Sequence, residues 1–409
     1  MYIKENGDFM LLRFTFKNFK SFCDEAVLDL TASSITEHKD SLITVNNIDI
    51  LPIAAIFGAN GSGKSNLIEA FNTMRIEITG YCFQGLHKSL IETYCFDDKK
   101  NDSPTEFEVC IYSRKFNKEF RYGFSRTSKE VFEEWLFSKT FSKTPTVKEK
   151  CVFYRRKDKE LETDLTNQKE LNEIKCCYNI TKKNELVITT IGMKQKCIYQ
   201  YIFNWFYNPF MILELPNIDL DQYDLEILYD DKELLQNIET IINRVEPSIL
   251  GIKIQREVTS KEEYNYEMYS LYNKNDKSIV KIPFSKESSG IRKLFLITIN
   301  ILRSLENGEP LFIDNLDSNF HPLLLRFIIK LYKDKSINKN GGQLIFSSHN
   351  LICLDSSDLR RDEIWFVEKN NQKSTIFSLY DFKEETIRKD LDFGKHYLNG
   401  RFGAVPFDD

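Results

Sequence analysis

The sequence predicts an α/β fold, in which a mixed sheet carries a glycine loop between a strand and a helix, with an antiparallel β subdomain and a mainly helical insertion beside it. Three observations predict it. A continuous apolar run from Ile50 to Phe57 has the length of a strand buried on both faces, and it runs into a glycine loop and a helix-forming stretch. Alternating aromatic and apolar residues from Thr105 to Phe153 read as antiparallel strands. After Gly251, helical patterns alternate with short apolar strands.

The elements follow in order. From Met10, MLLRFTFKNFKSFCDEAVLDLTA holds two short alternating runs with a polar turn between them, the pattern of a hairpin. ILPIAAIF then leads through the glycine loop into KSNLIEAFNTM, which is strand, loop and helix. FEVCIYS and FRYGFS carry the period of two that antiparallel strands require. From about Lys157 to Glu246 the period turns helical; Leu234, Leu235, Ile238, Ile241 and Ile242 make one apolar face that must pack on something. No heptad is sustained, so any projecting arm is short. The remainder predicts a helix from about Ser288, the strand EPLFID, a helix after His321, the strand QLIFSSH and a last strand near Glu363 to Val367. The expected division is 1–156, an N-terminal lobe with the loop and the β subdomain; 157–250, the helical insertion; and 251–409, a C-terminal lobe.

Composition excludes several classes of function. With 42% hydrophobic residues, 32 Phe and 19 Tyr, the 409-residue chain can bury a large core and is not disordered. The 56 basic and 61 acidic residues are interleaved, so no global positive field draws the chain to nucleic acid; a local basic groove would still allow it. Nine Cys without a CxxC pair, and only five His, lack zinc-finger spacing and read as scattered reduced thiols. Met1 to Asp8 carries Lys4, Glu5 and Asp8 where a signal peptide needs an apolar run. No apolar stretch approaches the roughly 18 residues of a membrane span. The expectation is a cytoplasmic protein with no membrane partner.

Gly58-Ala59-Asn60-Gly61-Ser62-Gly63-Lys64-Ser65 satisfies GxxxxGK[ST], and it sits between a buried strand and a helix start, as that motif must. Its glycines let successive backbone N–H groups turn toward phosphate oxygens, and the helix N-terminus adds partial positive charge. Candidate nucleotide contacts are therefore Gly58, Asn60, Gly61, Ser62, Gly63, Lys64, Ser65 and Asn66, with ATP and Mg²⁺ as ligands. Lys64 is expected to reach the β and γ phosphates, and the Ser65 hydroxyl to ligate Mg²⁺. EPLFID ends in Asp314, whose carboxylate is the second Mg²⁺ candidate. In QLIFSSHN the apolar strand ends at His349, where an imidazole can hydrogen-bond a γ-phosphate or an attacking water, although a lone His is more often structural.

The order GANGSGKS, SSGIRKL, FIDNLDSNFHP and FSSHN resembles the Walker A, signature, Walker B, D-loop and switch-His series of the ATP-binding cassette proteins. FKNFKSF near the start and YLNGRFGAVPF at the end resemble more closely the overcoming-lysogenisation-defect-like, SMC-related P-loop ATPases of bacterial anti-phage defence and abortive infection. The likeness runs essentially the whole length, with the middle third matching only in style. It implies an ABC-type P-loop NTPase core. It makes Ser289 and Gly290 signature residues that meet ATP on an opposite subunit, Asp317 the D-loop residue at a dimer seam, and His349 the switch residue. It sets Lys20 and Ser21 near the nucleotide and leaves the Q-loop a guess at Tyr94 to Phe96. It also implies a homodimer or higher homo-oligomer sandwiching ATP, and a separately encoded effector, a nuclease. Nucleic acid remains a candidate ligand.

This chain departs from the family in one place. Where the pattern has Glu after the Walker B Asp, it carries Asn315, which cannot take a proton but can orient water. The catalytic candidates are thus Lys64, Asp314, Asn315 and His349, and the expectation is slow hydrolysis. A natural slow switch, an engineered trap and a different carboxylate acting as base all remain open for Asn315. The stretch from Ser65 to Ser289 exceeds what a transporter cassette needs, so the insertion contacts a partner or nucleic acid, or else serves as a stabilising lid. The 60 residues after His349 are too few for an appended nuclease domain, and no GxSxG or HExxH motif is present. Two rival functions stand beside the defence ATPase: an SMC-like DNA-repair or maintenance ATPase that clamps DNA, and a nucleotide-binding scaffold that never hydrolyses. A transporter subunit fits least, because the signature reads SSGIR.

Overall fold

A computed structural model describes residues 9–46, 48–80, 89–140, 148–194, 198–208, 211–213, 222–258, 264–317, 321–382 and 392–405. Residues 1–8, Cys82, Cys197, residues 318–320 of the D-loop stretch and the last two residues of YLNGRFGAVPF lie outside them.

The chain opens with β1 (Phe9–Lys17) and β2 (Ala26–Asp29), the antiparallel hairpin expected from the alternating runs. A small pair, β3 (Ile43–Val45) and β4 (Ile48–Ile50), precedes β5 (Ile53–Phe57) and the helix α1 (Lys64–Thr79). After a one-turn helix, α2 (Asp98–Asn101), come β6 (Thr105–Ser113), β7 (Lys118–Arg126), β8 (Val131–Thr140) and β9 (Lys150–Arg156). They join the opening hairpin in one antiparallel sheet of order β2-β1-β6-β7-β8-β9. Helices follow: α3 (Gln168–Ile180), α4 (Val187–Lys194), α5 (Ile198–Tyr207), α6 (Gln222–Asp230) and α7 (Lys232–Val245), with a two-residue strand, β10 (Ile212–Leu213), among them. On α7, Leu234, Ile238 and Ile242 are buried while Leu235 and Ile241 pack at the margin, so the apolar stripe faces the core.

The rest comprises β11 (Gly251–Val258), β12 (Tyr264–Asn273), β13 (Ile279–Pro283), α8 (Ser289–Asn307), β14 (Pro310–Ile313), α9 (Pro322–Lys333), β15 (Gln343–Ser347), β16 (Ile364–Asn370), β17 (Lys373–Ser378) and α10 (Phe393–Leu398). The central sheet is mixed, in the order β10-β14-β15-β5-β16-β17; its first five strands run parallel and β17 returns antiparallel. Two features were not anticipated. The segment after Gly251 first forms the three-stranded antiparallel sheet β11-β12-β13, and β10, inside the mainly helical stretch, pairs with Phe312–Ile313 as the edge of the central sheet. A two-residue strand is too short to carry a period of its own.

Why the strands of the central sheet read as unbroken apolar runs is visible in their burial. Ala54, Ile56, Phe312 and Ile345 point into a core shared with the antiparallel sheet and α1. Ile53, Ala55, Phe57, Leu311, Ile313, Leu344 and Phe346 point into the opposite core, with α7, α8 and α9. Both faces are covered, so polar residues have no place on either. Phe71 of α1 stacks on Phe312 at 4.0 Å and meets Trp205 of α5 edge-on at 6.1 Å. The antiparallel sheet is fastened to α1 by a buried ion contact, Arg126 to Glu77 at 2.6 Å, and to α4 by Glu134, which accepts the Val187 and Ile188 N–H groups.

Candidate nucleotide site

Parallel pairing in the order β14-β15-β5-β16 brings the C-terminal ends of these strands to one edge of the sheet, the place where open α/β sheets form clefts. The loop after β5, Asp314 after β14, and Ser347 with His349 at the end of β15 therefore meet there although nearly 300 residues separate the first from the last.

The loop is built on backbone that only glycine adopts freely: φ is +150° at Gly58, +75° at Gly61 and +117° at Gly63. Gly58 and Gly63 also lack room. A Cβ on Gly58 would lie 2.2 Å from the Val367 carbonyl, and one on Gly63 would lie 2.5 Å from Ser374 Oγ and 2.9 Å from Ser21 Oγ. Gly63 is the N-cap of α1, whose first turn has no acidic side chain, so nothing on the helix itself neutralises its positive end. Asn60, Gly61 and Ser65 are exposed, whereas Ser62 and Lys64 are buried.

The Lys64 ammonium donates to the carbonyls of Gly58 (2.8 Å) and Ala59 (3.0 Å), which folds the side chain over its own loop. Burial pulls its pKa down to about 8, against the opposing pull of Asp314 and Asp317. Asp314 accepts from the Ser347 hydroxyl and, weakly, from Asn315 Nδ2 at 3.4 Å. Asn315 stands in the left-handed region (φ +52°), and its N–H donates to Ser347 Oγ at 2.8 Å. The His349 N–H donates to Asp317 Oδ2 at 3.1 Å; Asp317 Oδ1 is buried and meets no donor among the described residues. Desolvation first, and then the Lys64 charge, hold the His349 imidazole below its ordinary pKa, which favours its neutral form.

The remaining candidates divide. Ser21 lies against the loop, accepting from Asn66 Nδ2 and from the Ser374 hydroxyl, both at 2.7 Å. The Lys20 ammonium pairs with Glu69 of α1 and lies 3.8 Å from Glu92. Tyr94 is buried with its N–H on Asn18 Oδ1, while Phe96 is exposed. Ser289 and Gly290 form the first turn of α8, capped by Ser288 Oγ.

Sequence reasoning gave no role to four residues that shape this site: Ser347, which orients Asp314; Ser374, which fills the space a side chain at Gly63 would need; Ala404, whose carbonyl accepts the Ala59 N–H; and Tyr397, whose hydroxyl donates to that same carbonyl. Each is a common residue with no chemical signature of its own, and only the fold brings it to the loop.

An exposed glycine cradle at an uncompensated helix N-terminus fits a polyphosphate. Among the described residues no three His, Cys, Asp or Glu side chains gather as a cation site. No helix among the described residues is long and apolar enough to cross a membrane.

A family model described as "AAA domain, putative AbiEii toxin, Type IV TA system" matches residues 53–173 and 203–355. No protein with a curated description matches the chain. Among solved structures it is similar to an SMC head bound to the C-winged helix domain of ScpA, with 12% identity, TM-score 0.47, and coverage of 90% of this chain and 97% of that one. It is also similar to the SMC head domain from Thermotoga maritima (15%, 0.39, 90% and 98%). A third is an Smc head domain with an extended coiled coil bound to the C-terminal domain of ScpA derived from Pyrococcus furiosus (12%, 0.44, 90% and 96%).

Proposed function

The chain belongs to this AAA-domain family, whose model covers more than half of it, and on that premise we propose that it binds ATP with Mg²⁺ and hydrolyses it slowly, as the ATPase subunit of an anti-phage defence complex. Two copies, or a larger homo-oligomer, close around ATP, and closure controls a separately encoded effector, a nuclease. One observation above all supports the reading: a glycine loop at an unneutralised helix N-terminus shares a sheet edge with Asp314, Asp317 and His349.

In this reading the amides of Gly61 to Ser65 hold the phosphates, and the Lys64 ammonium turns from its loop carbonyls to the β and γ oxygens. Ser65 and Asp314 hold Mg²⁺, which when bound neutralises charge between the phosphates. Asn315 and His349 orient the attacking water, and Ser289, Gly290 and Asp317 act across the seam between copies. The defence setting draws support from the whole-length resemblance and from the words "putative AbiEii toxin, Type IV TA system" in the family's description.

Calorimetry with ATP and Mg²⁺ tests the binding step: uptake by wild type and none by Lys64→Ala is expected, and no uptake by wild type would overturn it. Co-purification from the native host tests the effector; DNA-stimulated turnover without any effector would favour the DNA clamp, and growth arrest by this chain alone would make it the toxin. A second reading, the non-hydrolysing scaffold, is favoured by Asn315, whose amide cannot take a proton from water. ATP that remains intact after prolonged incubation would select it.

A further inference from the structure

The segment after β17 returns to the nucleotide loop. Ala404 is buried and left-handed (φ +58°) although it carries a Cβ. Its carbonyl accepts the Ala59 N–H at 3.1 Å and the Tyr397 hydroxyl at 2.7 Å, and its own N–H donates to Glu368 Oε1 at 3.1 Å. Glu368 follows Val367, the residue whose carbonyl leaves no room for a side chain at Gly58. The first two loop residues are thus held between β16 on one side and the C-terminal turn on the other. Those same residues supply the carbonyls that hold the Lys64 ammonium, so a line of contacts runs from Tyr397 and Glu368 through Ala404 and Ala59 to Lys64.

The turn is itself anchored. The N–H groups of Gly400 and Gly403 close it onto the carbonyls of Tyr397 and Gly400. Phe402 is buried against Phe366 and Phe382, with ring centroids 5.9 and 5.5 Å away, and the Tyr397 ring lies nearly parallel to Phe366 at 5.3 Å.

We propose that the turn Gly400–Ala404 is a positioning element for the nucleotide loop, through which Tyr397 and Glu368 set the affinity for a nucleoside triphosphate without touching it. Because the Ala59 N–H is taken by Ala404, it does not face an anion; the turn fixes that peptide so that the amides beyond it present one preformed cradle, with the carbonyls that hold Lys64 at its edge. The proposal rests on the nucleotide reading of the loop.

The test uses the full chain, a fluorescent ATP analogue with Mg²⁺, and hydrogen exchange of the loop amides in the ligand-free protein. Tyr397→Phe keeps the ring and removes one donor to Ala404; Glu368→Leu removes an acceptor, and Glu368→Gln retains one. The first two are expected to weaken binding about fivefold each and to speed exchange at Gly58–Lys64, while Glu368→Gln stays near wild type. A merely structural role would lower the melting temperature and leave affinity and loop exchange alone. Wild-type affinity and wild-type exchange in both Tyr397→Phe and Glu368→Leu would overturn the proposal. A wild-type chain that takes up no ATP would instead sink the nucleotide reading, and loop exchange would still decide whether the turn positions the loop.

Discussion

At the scale of single residues, Gly63 and Asn315 carry opposite lessons. Gly63 is constrained twice, by a φ of +117° and by two serine hydroxyls standing where its Cβ would go. Gly63→Ala is therefore expected to cost about 2 kcal/mol of stability and to abolish ATP uptake, and urea denaturation followed by calorimetry would check both. Trimming Ser374 should not restore it, because the backbone strain remains. Asn315 tolerates its left-handed backbone better than most residues, and its N–H anchors Ser347, which in turn holds Asp314. Asn315→Glu supplies a base at the cost of about 1 kcal/mol of backbone strain. Phosphate release at saturating ATP should rise at least about tenfold, modest for a positioned general base. An unchanged rate would mean that hydrolysis is limited elsewhere.

Among the elements, β14 links core stability to the site, since Asp314 follows one end and Glu309 precedes the other. Burial pushes the Glu309 carboxyl up to about 7, against hydrogen bonds from Asn307 and Asn208 that favour its ionised form. In the unfolded chain this carboxyl ionises at ordinary acidity, so between about pH 4.5 and pH 7 the unfolded state releases a proton that the folded state keeps. Stability contributed by Glu309 is complete below that window and is lost as pH rises through it, by roughly 3 kcal/mol in all. Glu309→Gln, which still accepts from Asn208, should flatten that part of the stability curve in urea melts taken at successive pH values. A variant curve parallel to wild type would exclude Glu309 as the source. Legibility in the sequence also varied by element. The Gly58–Ser65 loop was readable because its demands are local: glycine at particular steps, then a helix. The unbroken apolar runs of β5, β14 and β15 were readable because both faces are buried. Their parallel order was not, since Leu344 pairs with Ile53 across most of the chain and no local pattern encodes that register. The sheet β11-β12-β13 was not anticipated, because the apolar residues of YNYEMYSLYN fall on both faces of its middle strand: Tyr266 and Met268 are buried with Ser270 on one, and Tyr269 and Leu271 lie on the other. Ser374 and Ala404 were invisible for the same reason as the register: their partners are supplied only by the fold.

For the molecule as a whole, the open question is what covers the exposed side of the glycine loop. Asn60, Gly61 and Ser65 face solvent, and so does Ser289 at the start of α8. That 19-residue helix has no acidic side chain in its first turn, so its N-terminus is a second positive end with no acid on the helix itself to neutralise it. Two anion-seeking helix ends on one chain are each half of a site if a second copy turns the Ser289 end toward the first copy's phosphates. ATP is then expected to convert monomer to dimer, as followed by light scattering with and without nucleotide. Ser289→Arg places a bulky side chain at the seam and should hold the protein monomeric in ATP, with calorimetric uptake weakened, because the coupling is reciprocal, but not abolished, because each copy keeps its own glycine loop. If wild type binds ATP and remains monomeric, or if Ser289→Arg dimerises as readily, closure of two copies around the nucleotide is not how this chain responds to ATP, and the α8 N-terminus would have to act on some other anion.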